Sequence, residues 1–251
     1  MPGLQKTLGL WVEDTSTVDG HLHDVQNLGF QYLIVRIVYH PNGAGGDTVA
    51  YQPDTLKSIL ADAATIDFPV YAWAYVYPQN IDGQVAAITA ALPAGCANLV
   101  LDAEIEWENV EGSADFADQL AHGIAEATNH QTALHLSSFY APQLHPTLPW
   151  VNFLNHCESF MPQTYRYGAT TADTVITRTL AQDPDLAKGS LGGLLVPTSN
   201  QPDILQEICA NAATFAGANV WLWDGSGGDP GVSGNGDAWS AAIQAFSNAY
   251  P

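Results

Sequence analysis

The chain has 251 residues, 47% of them hydrophobic and 13% charged, enough to bury the core of one large globular domain, and it reads as a single domain over residues 1–251. Asp and Glu total 26, an ordinary load, whereas Lys and Arg total only 6, so the net charge of −20 comes from missing bases. Nucleic acid and anionic membranes are poor partners for such a chain, because both are held by clustered Lys and Arg.

Strand-like and helix-like stretches alternate from end to end. The strand candidates are 8–12, 32–39, 70–77, 99–105, 132–137, 160–165, 193–197 and 219–223. Apolar residues recur at helical spacing between them: Leu56, Ile59, Leu60 and Ala63 after the turn Gln52-Pro53-Asp54, then Val85, Ile88 and Leu92. Phe116, Leu120 and Ile124 follow Ser113, read as an N-cap. Ile204, Leu205, Ile208, Ala212 and Phe215 follow Pro202-Asp203, and Ala238, Ala242 and Phe246 continue the pattern. Eight strands alternating with helices in ~250 residues predict an α/β fold, a (β/α)8 TIM-like barrel. An open doubly wound sheet is the rival, but its glycine-rich phosphate turn is missing after the first strand, where Glu13-Asp14-Thr15-Ser16 stands. Cys96, Cys157 and Cys209 lie far apart with no CxxC, which favours buried thiols over a disulfide framework or a cysteine-rich zinc site. No segment is long and apolar enough to insert in a membrane, and the first seven residues lack a signal-peptide pattern.

In this fold the active site sits at the C-terminal ends of the strands, where the polar and aromatic residues of this chain gather. The fourth strand candidate ends Leu101-Asp102-Ala103-Glu104-Ile105-Glu106. Alternation places Asp102, Glu104 and Glu106 on one strand face. Stacked carboxylates raise each other's pKa, and glycosidases need one carboxylic acid held protonated beside one held ionised. Strand one ends in Trp11 and Glu13, and strand two in Tyr39-His40 with Arg36 further in. Strand three carries Tyr71, Trp73, Tyr75 and Tyr77 on one face, strand six ends Gln163-Thr164-Tyr165, and strand eight ends Trp223-Asp224. Acids ringed by Tyr and Trp suit a sugar, whose C–H faces pack on aromatic rings and whose hydroxyls need polar partners.

Two stretches resemble the glycoside hydrolase family 25 muramidases. Val100-Leu101-Asp102-Ala103-Glu104 is similar to that family's Asp-x-Glu strand, and Gly231-Val232-Ser233-Gly234-Asn235-Gly236-Asp237 to its closing Gly-Ile-Ser-Gly-Asn-Val-Asp pattern. The resemblance implies a barrel that cleaves peptidoglycan or a related polysaccharide without a cofactor or metal. It implies Glu104 as general acid and Asp102 as its ionised partner, acting as nucleophile, as charge stabiliser or by orienting the substrate's acetamido group. It also implies action at a cell wall after phage-type release or within a virion, with another phage or wall-targeting protein as a possible partner. The first strand departs from the family: Trp11 stands where an Asp is usual, and Glu13 is the candidate replacement. Trp11, Glu106, Tyr75, Tyr77, Gln163, Tyr165, Trp223 and Asp224 complete the expected substrate site. Two other readings remain open: a non-catalytic glycan-binding or structural module on the same barrel, and a metal-dependent hydrolase built from His21, His23, His40, Asp102 and Asp224.

Overall fold

The computed structural model describes residues 7–43, 46–164, 174, 177, 194–197, 217–221 and 236–249. Eight parallel strands close into a barrel. In chain order they are β1 (Thr7–Val12), β2 (Tyr32–Arg36), β5 (Val70–Tyr75), β6 (Asn98–Asp102), β7 (Ala133–Phe139), β8 (Ser159–Gln163), β9 (Leu194–Pro197) and β10 (Gly217–Trp221). The labels β3 (Val38–Tyr39) and β4 (Val49–Ala50) belong to a short antiparallel ribbon outside the barrel. The first strand closes the ring by pairing with both β10 and β2. The predicted (β/α)8 architecture is therefore the observed one.

Helices α1 (Leu22–Leu28), α2 (Pro53–Thr65), α3 (Ile81–Ala91), α4 (Ser113–Ala127), α5 (Trp150–His156) and α6 (Gly236–Ala249) accompany the strands. Helix α4 shows why they form. Ala117, Leu120, Ala121 and Ile124 are buried at helical spacing. Each such Leu or Ile removed from water contributes about 1.5–3 kcal/mol before entropy is counted. Ser113 is not the N-cap expected from the sequence: Gly112, in the left-handed region at φ 80°, takes that place and Ser113 begins the helix buried. The predicted 204–215 helix, Cys209, Tyr165, Trp223 and Asp224 lie outside the described residues, as does the 231–235 part of the closing motif. Cys96 and Cys157 are free thiols.

Strand alternation sorts the barrel interior into levels. The inward columns read Tyr32-Ile34-Arg36 on β2, Tyr71-Trp73-Tyr75 on β5, Asn98-Val100-Asp102 on β6 and Ser159-Met161-Gln163 on β8. The middle level is an apolar cluster of Trp11, Ile34, Trp73, Val100 and Met161. Below it the Tyr32 hydroxyl donates to Asn219 Oδ1 at 2.7 Å. Gly9 leaves room for that bond, because a Cβ there would lie 2.2 Å from both the Asn219 oxygen and the Tyr32 ring. Also at this lower level His135 bridges Asn98 and Ser159. The upper level carries the acids.

Two strand ends differ from expectation. The fourth barrel strand stops at Asp102, not at 105. Glu104 leaves extended pairing at φ −126°, ψ −150° and begins a 3-10 turn over Ile105–Trp107. The turn is pinned by Trp107, whose buried indole N–H donates to Val76 O at 2.8 Å. Likewise the second strand candidate is broken after Arg36, and Val38–Tyr39 turn outward to pair with Val49–Ala50.

Candidate active site

A cavity of about 290 Å³ opens at the C-terminal end of the barrel, lined among the described residues by Trp11, Glu13, Arg36, Trp73, Tyr75, Asp102, Glu104 and Trp221. Its chemistry centres on two carboxyl groups and one amide. Gln163 Nε2 donates to Asp102 Oδ1 at 2.9 Å and to Glu104 Oε1 at 2.7 Å. The two contacts together cap the separation of those oxygens at about 6 Å, below the ~6.5–9.5 Å that an inverting pair leaves for water. Gln163 reaches this position because it closes the inward column of β8, as Asp102 closes that of β6.

Both acids are held above the usual carboxylate range. Asp102, only 8% exposed, is pushed well up, first by burial and then by the Glu104 charge; hydrogen bonds from Ser137 and Gln163 oppose the rise. Glu104 is raised by burial and by Glu106, against the pull of hydrogen bonds from Gln163 and Tyr75. A carboxyl pair in this setting keeps a proton to higher pH than either acid would alone in water.

Glu106 is not a strand residue, contrary to the alternation argument; it lies in the 3-10 turn. It still faces the site, since the Tyr75 hydroxyl donates to Glu106 Oε2 at 2.6 Å. Burial and this bond drive the Tyr75 phenol far upward, so Tyr75 stays a neutral donor. Tyr77 packs on Tyr75 with ring centroids 5.1 Å apart, and its phenol is raised by burial and by Glu106. Trp11 is 1% exposed and lies against Trp73 at 5.2 Å, forming the floor of the cavity. Glu13 lines the wall and accepts a bond from Arg36 Nη1 at 3.0 Å.

The structure thus brings together Asp102, Glu104, Glu106, Gln163, Tyr75, Tyr77, Trp11 and Glu13. Arg36, Trp73 and Trp221 also line the cavity and were not among the site residues expected from the sequence, although inward alternation on β2, β5 and β10 places them there. The metal-site reading does not hold for its described members. His21 and His23 are exposed beside and on α1, and His40 Nε2 lies 3.0 Å from Tyr75 O. Among the described residues no three His, Cys, Asp or Glu side chains form a metal-holding group.

No protein-family model and no curated protein matches the chain. Solved structures do match it. The catalytic domain of a family 18 chitinase from the fern Peteris ryukyuensis is 14% identical, over 96% of this chain and 99% of that one, with a TM-score of 0.64. A family 18 chitinase from Crocus vernus is 14% identical over 96% and 99%, with a TM-score of 0.61. An endo-β-N-acetylglucosaminidase from Cordyceps militaris is 13% identical over 96% and 91%, also at 0.61. A second structure of that enzyme is of a double mutant whose altered Asp and Glu are two positions apart. The chain therefore has the TIM-barrel fold of these glycoside hydrolases. The two chitinases carry the family 18 name, whereas the motifs in the sequence resemble family 25.

Proposed function

We propose that the protein is a retaining glycoside hydrolase that cleaves a glycan beside a 2-acetamido sugar, with Glu104 as general acid and Asp102 as the residue that orients the acetamido group. The observation that carries the proposal is the single Gln163 nitrogen shared by both carboxyl groups. Two acids so bridged, two residues apart at one strand end, occupy one side of the cavity. A nucleophile and an acid that flank the scissile bond stand apart across the sugar. The nucleophile is then best supplied by the substrate. The acetamido carbonyl oxygen bonds to the anomeric carbon as the glycosidic C–O bond breaks, and Glu104 gives its proton to the departing oxygen. Water then adds to the anomeric carbon, returns a proton to Glu104, and the acetamido group is restored. Asp102 accepts from the acetamido N–H and steadies the positive charge that develops there.

The neighbouring folds support an N-acetylglucosamine-type substrate, and the Asp–Glu pair altered in one of them has the spacing of Asp102 and Glu104. Peptidoglycan, favoured by the muramidase-like motifs, belongs to the same acetamido class. Trp73, Trp221 and Tyr75 present apolar surface for the sugar faces. Mass spectrometry of products from N-acetylglucosamine oligomers and peptidoglycan, with wild type and Glu104→Gln, tests the reading. Cleavage by wild type alone is expected. Cleavage by both proteins removes Glu104 from the chemistry. Tight binding with no cleavage by either supports the rival binding module, which the exchange of an acid for Trp11 favours.

A further inference from the structure

Beside the acid pair, the described lining of the cavity holds one cation, Arg36. The whole chain has only 6 Lys and Arg, so a base in this place is notable. Arg36 is fixed from several sides. Its Nε donates to Val38 O at 3.0 Å and its Nη1 to Glu13 Oε1 at 3.0 Å. Its guanidinium lies 5.1 Å from the Tyr51 ring centroid and 5.4 Å from that of Trp73. The backbone next to Glu13 is fixed as well. Asp14 accepts from the Ser16 N–H at 3.0 Å, from Ser16 Oγ at 2.7 Å and from Gln52 Nε2 at 2.9 Å. The Arg36 and Glu13 side chains are 19% and 43% exposed, and both line the cavity that contains Asp102 and Glu104.

We infer that the Glu13–Arg36 pair is a sugar-reading subsite that selects a neutral, hydroxyl-bearing saccharide unit and refuses a carboxylate-bearing one. The inference rests on the hydrolase reading above and names which glycan of that class the site takes. A guanidinium against a carboxylate sets a rigid donor beside a rigid acceptor. Two neighbouring hydroxyls satisfy both, one accepting from Arg36 and the other donating to Glu13. The Arg36 charge is met by Glu13, so the pair as a whole carries no net charge to attract an anionic substituent. The ionised Asp102 that the hydrolase reading requires and the chain's charge of −20 repel such a group further. This subsite therefore fits N-acetylglucosamine better than a muramic unit with its lactyl carboxylate. It also gives Glu13 a binding role in place of the catalytic one expected from the sequence.

The test measures kcat and KM for wild type, Glu13→Gln and Arg36→Met on a neutral N-acetylglucosamine oligomer and on a carboxylate-bearing peptidoglycan fragment. Each variant is expected to raise KM for the neutral oligomer by about 10–100-fold, the loss typical of a hydrogen bond to a charged group, with kcat held within about threefold. Glu13→Gln releases the Arg36 charge and is expected to shift preference toward the carboxylate-bearing fragment by about tenfold, whereas Arg36→Met does not. A purely structural pair would not produce that switch. A fall in kcat at constant KM, or an unchanged preference in Glu13→Gln, overturns the inference. Calorimetric binding of the same two oligomers reads the preference independently of turnover. If wild type cleaves neither glycan, the hydrolase proposal fails while the subsite is still judged by binding.

Discussion

Strands β6, β7 and β8 carry two buried polar clusters, one at each end, with an apolar level between them. At the N-terminal end His135 Nδ1 meets Ser159 Oγ at 2.7 Å and Nε2 meets Asn98 Oδ1 at 2.8 Å. Every member of that cluster can be neutral, and burial pushes the imidazole down to about 4, so His135 is uncharged at neutral pH. At the C-terminal end Asp102, Glu104 and Gln163 are joined just as closely, yet two members are acids held out of their preferred state. The same backbone geometry therefore supports both a satisfied cluster and a frustrated one. Burial with complementary neutral partners holds the fold. Burial of like charges costs stability and leaves groups poised to exchange protons, the condition that general acid catalysis requires.

Mutations at the two ends are expected to separate these roles. Glu104→Gln keeps shape but removes the transferable proton, so turnover should fall by ~10²–10⁴-fold in steady-state assays with glycan affinity retained. His135→Leu at the other end should cost about 2–5 kcal/mol in urea unfolding at pH 7, because it removes a buried imidazole and its hydrogen bonds to Asn98 and Ser159. Its kcat, measured well below the melting point, should stay within a few-fold of wild type. A Glu104→Gln variant that retains full turnover, or a His135→Leu variant that is as stable as wild type, breaks the contrast.

The pH dependence of stability sharpens it, because the two ends have opposite signs. The unfolded chain protonates His135 near pH 6.5, whereas the folded protein resists until about 4. The unfolded state thus binds more protons in this window, and stability is lost as pH falls from about 6.5 to 4, by roughly 3 kcal/mol. That portion of the unfolding curve should vanish in His135→Leu. Asp102 behaves the other way. Its folded pKa is raised, so the folded state binds more protons above the unfolded carboxyl value of about 3.9, and stability declines as pH rises through the folded value. Asp102→Asn should therefore raise Tm by a few degrees at pH 7 and by nothing at about pH 3, as differential scanning calorimetry can show.

The barrel was legible because its signal is local and repeated: apolar strands, helical spacing and aromatics at strand ends. Asp102 and Glu104 were legible for the same reason. The end of β6 was not. Ala103-Glu104-Ile105 alternates like a strand, and only the Trp107 anchor to Val76 turns the chain away. The Gln163 bridge was legible only as a polar residue at a strand end; its contacts to residues 61 and 59 positions earlier depend on barrel closure. The Glu13–Arg36 pair is likewise a product of β1 and β2 lying side by side. Trp11 in place of the usual Asp made Glu13 the candidate replacement acid, and only the neighbouring strand supplies its counter-charge.

The most direct test is to measure hydrolysis of an N-acetylglucosamine oligomer and of its counterpart bearing a 2-hydroxyl in place of each acetamido group, with wild type and Glu104→Gln side by side. Rapid cleavage of the acetamido oligomer by wild type, little of the 2-hydroxyl oligomer, and almost none of either by the variant is the result this account predicts. Equal cleavage of both oligomers by wild type would contradict it, because the attacking group would then have to come from the protein or from water and not from the acetamido group.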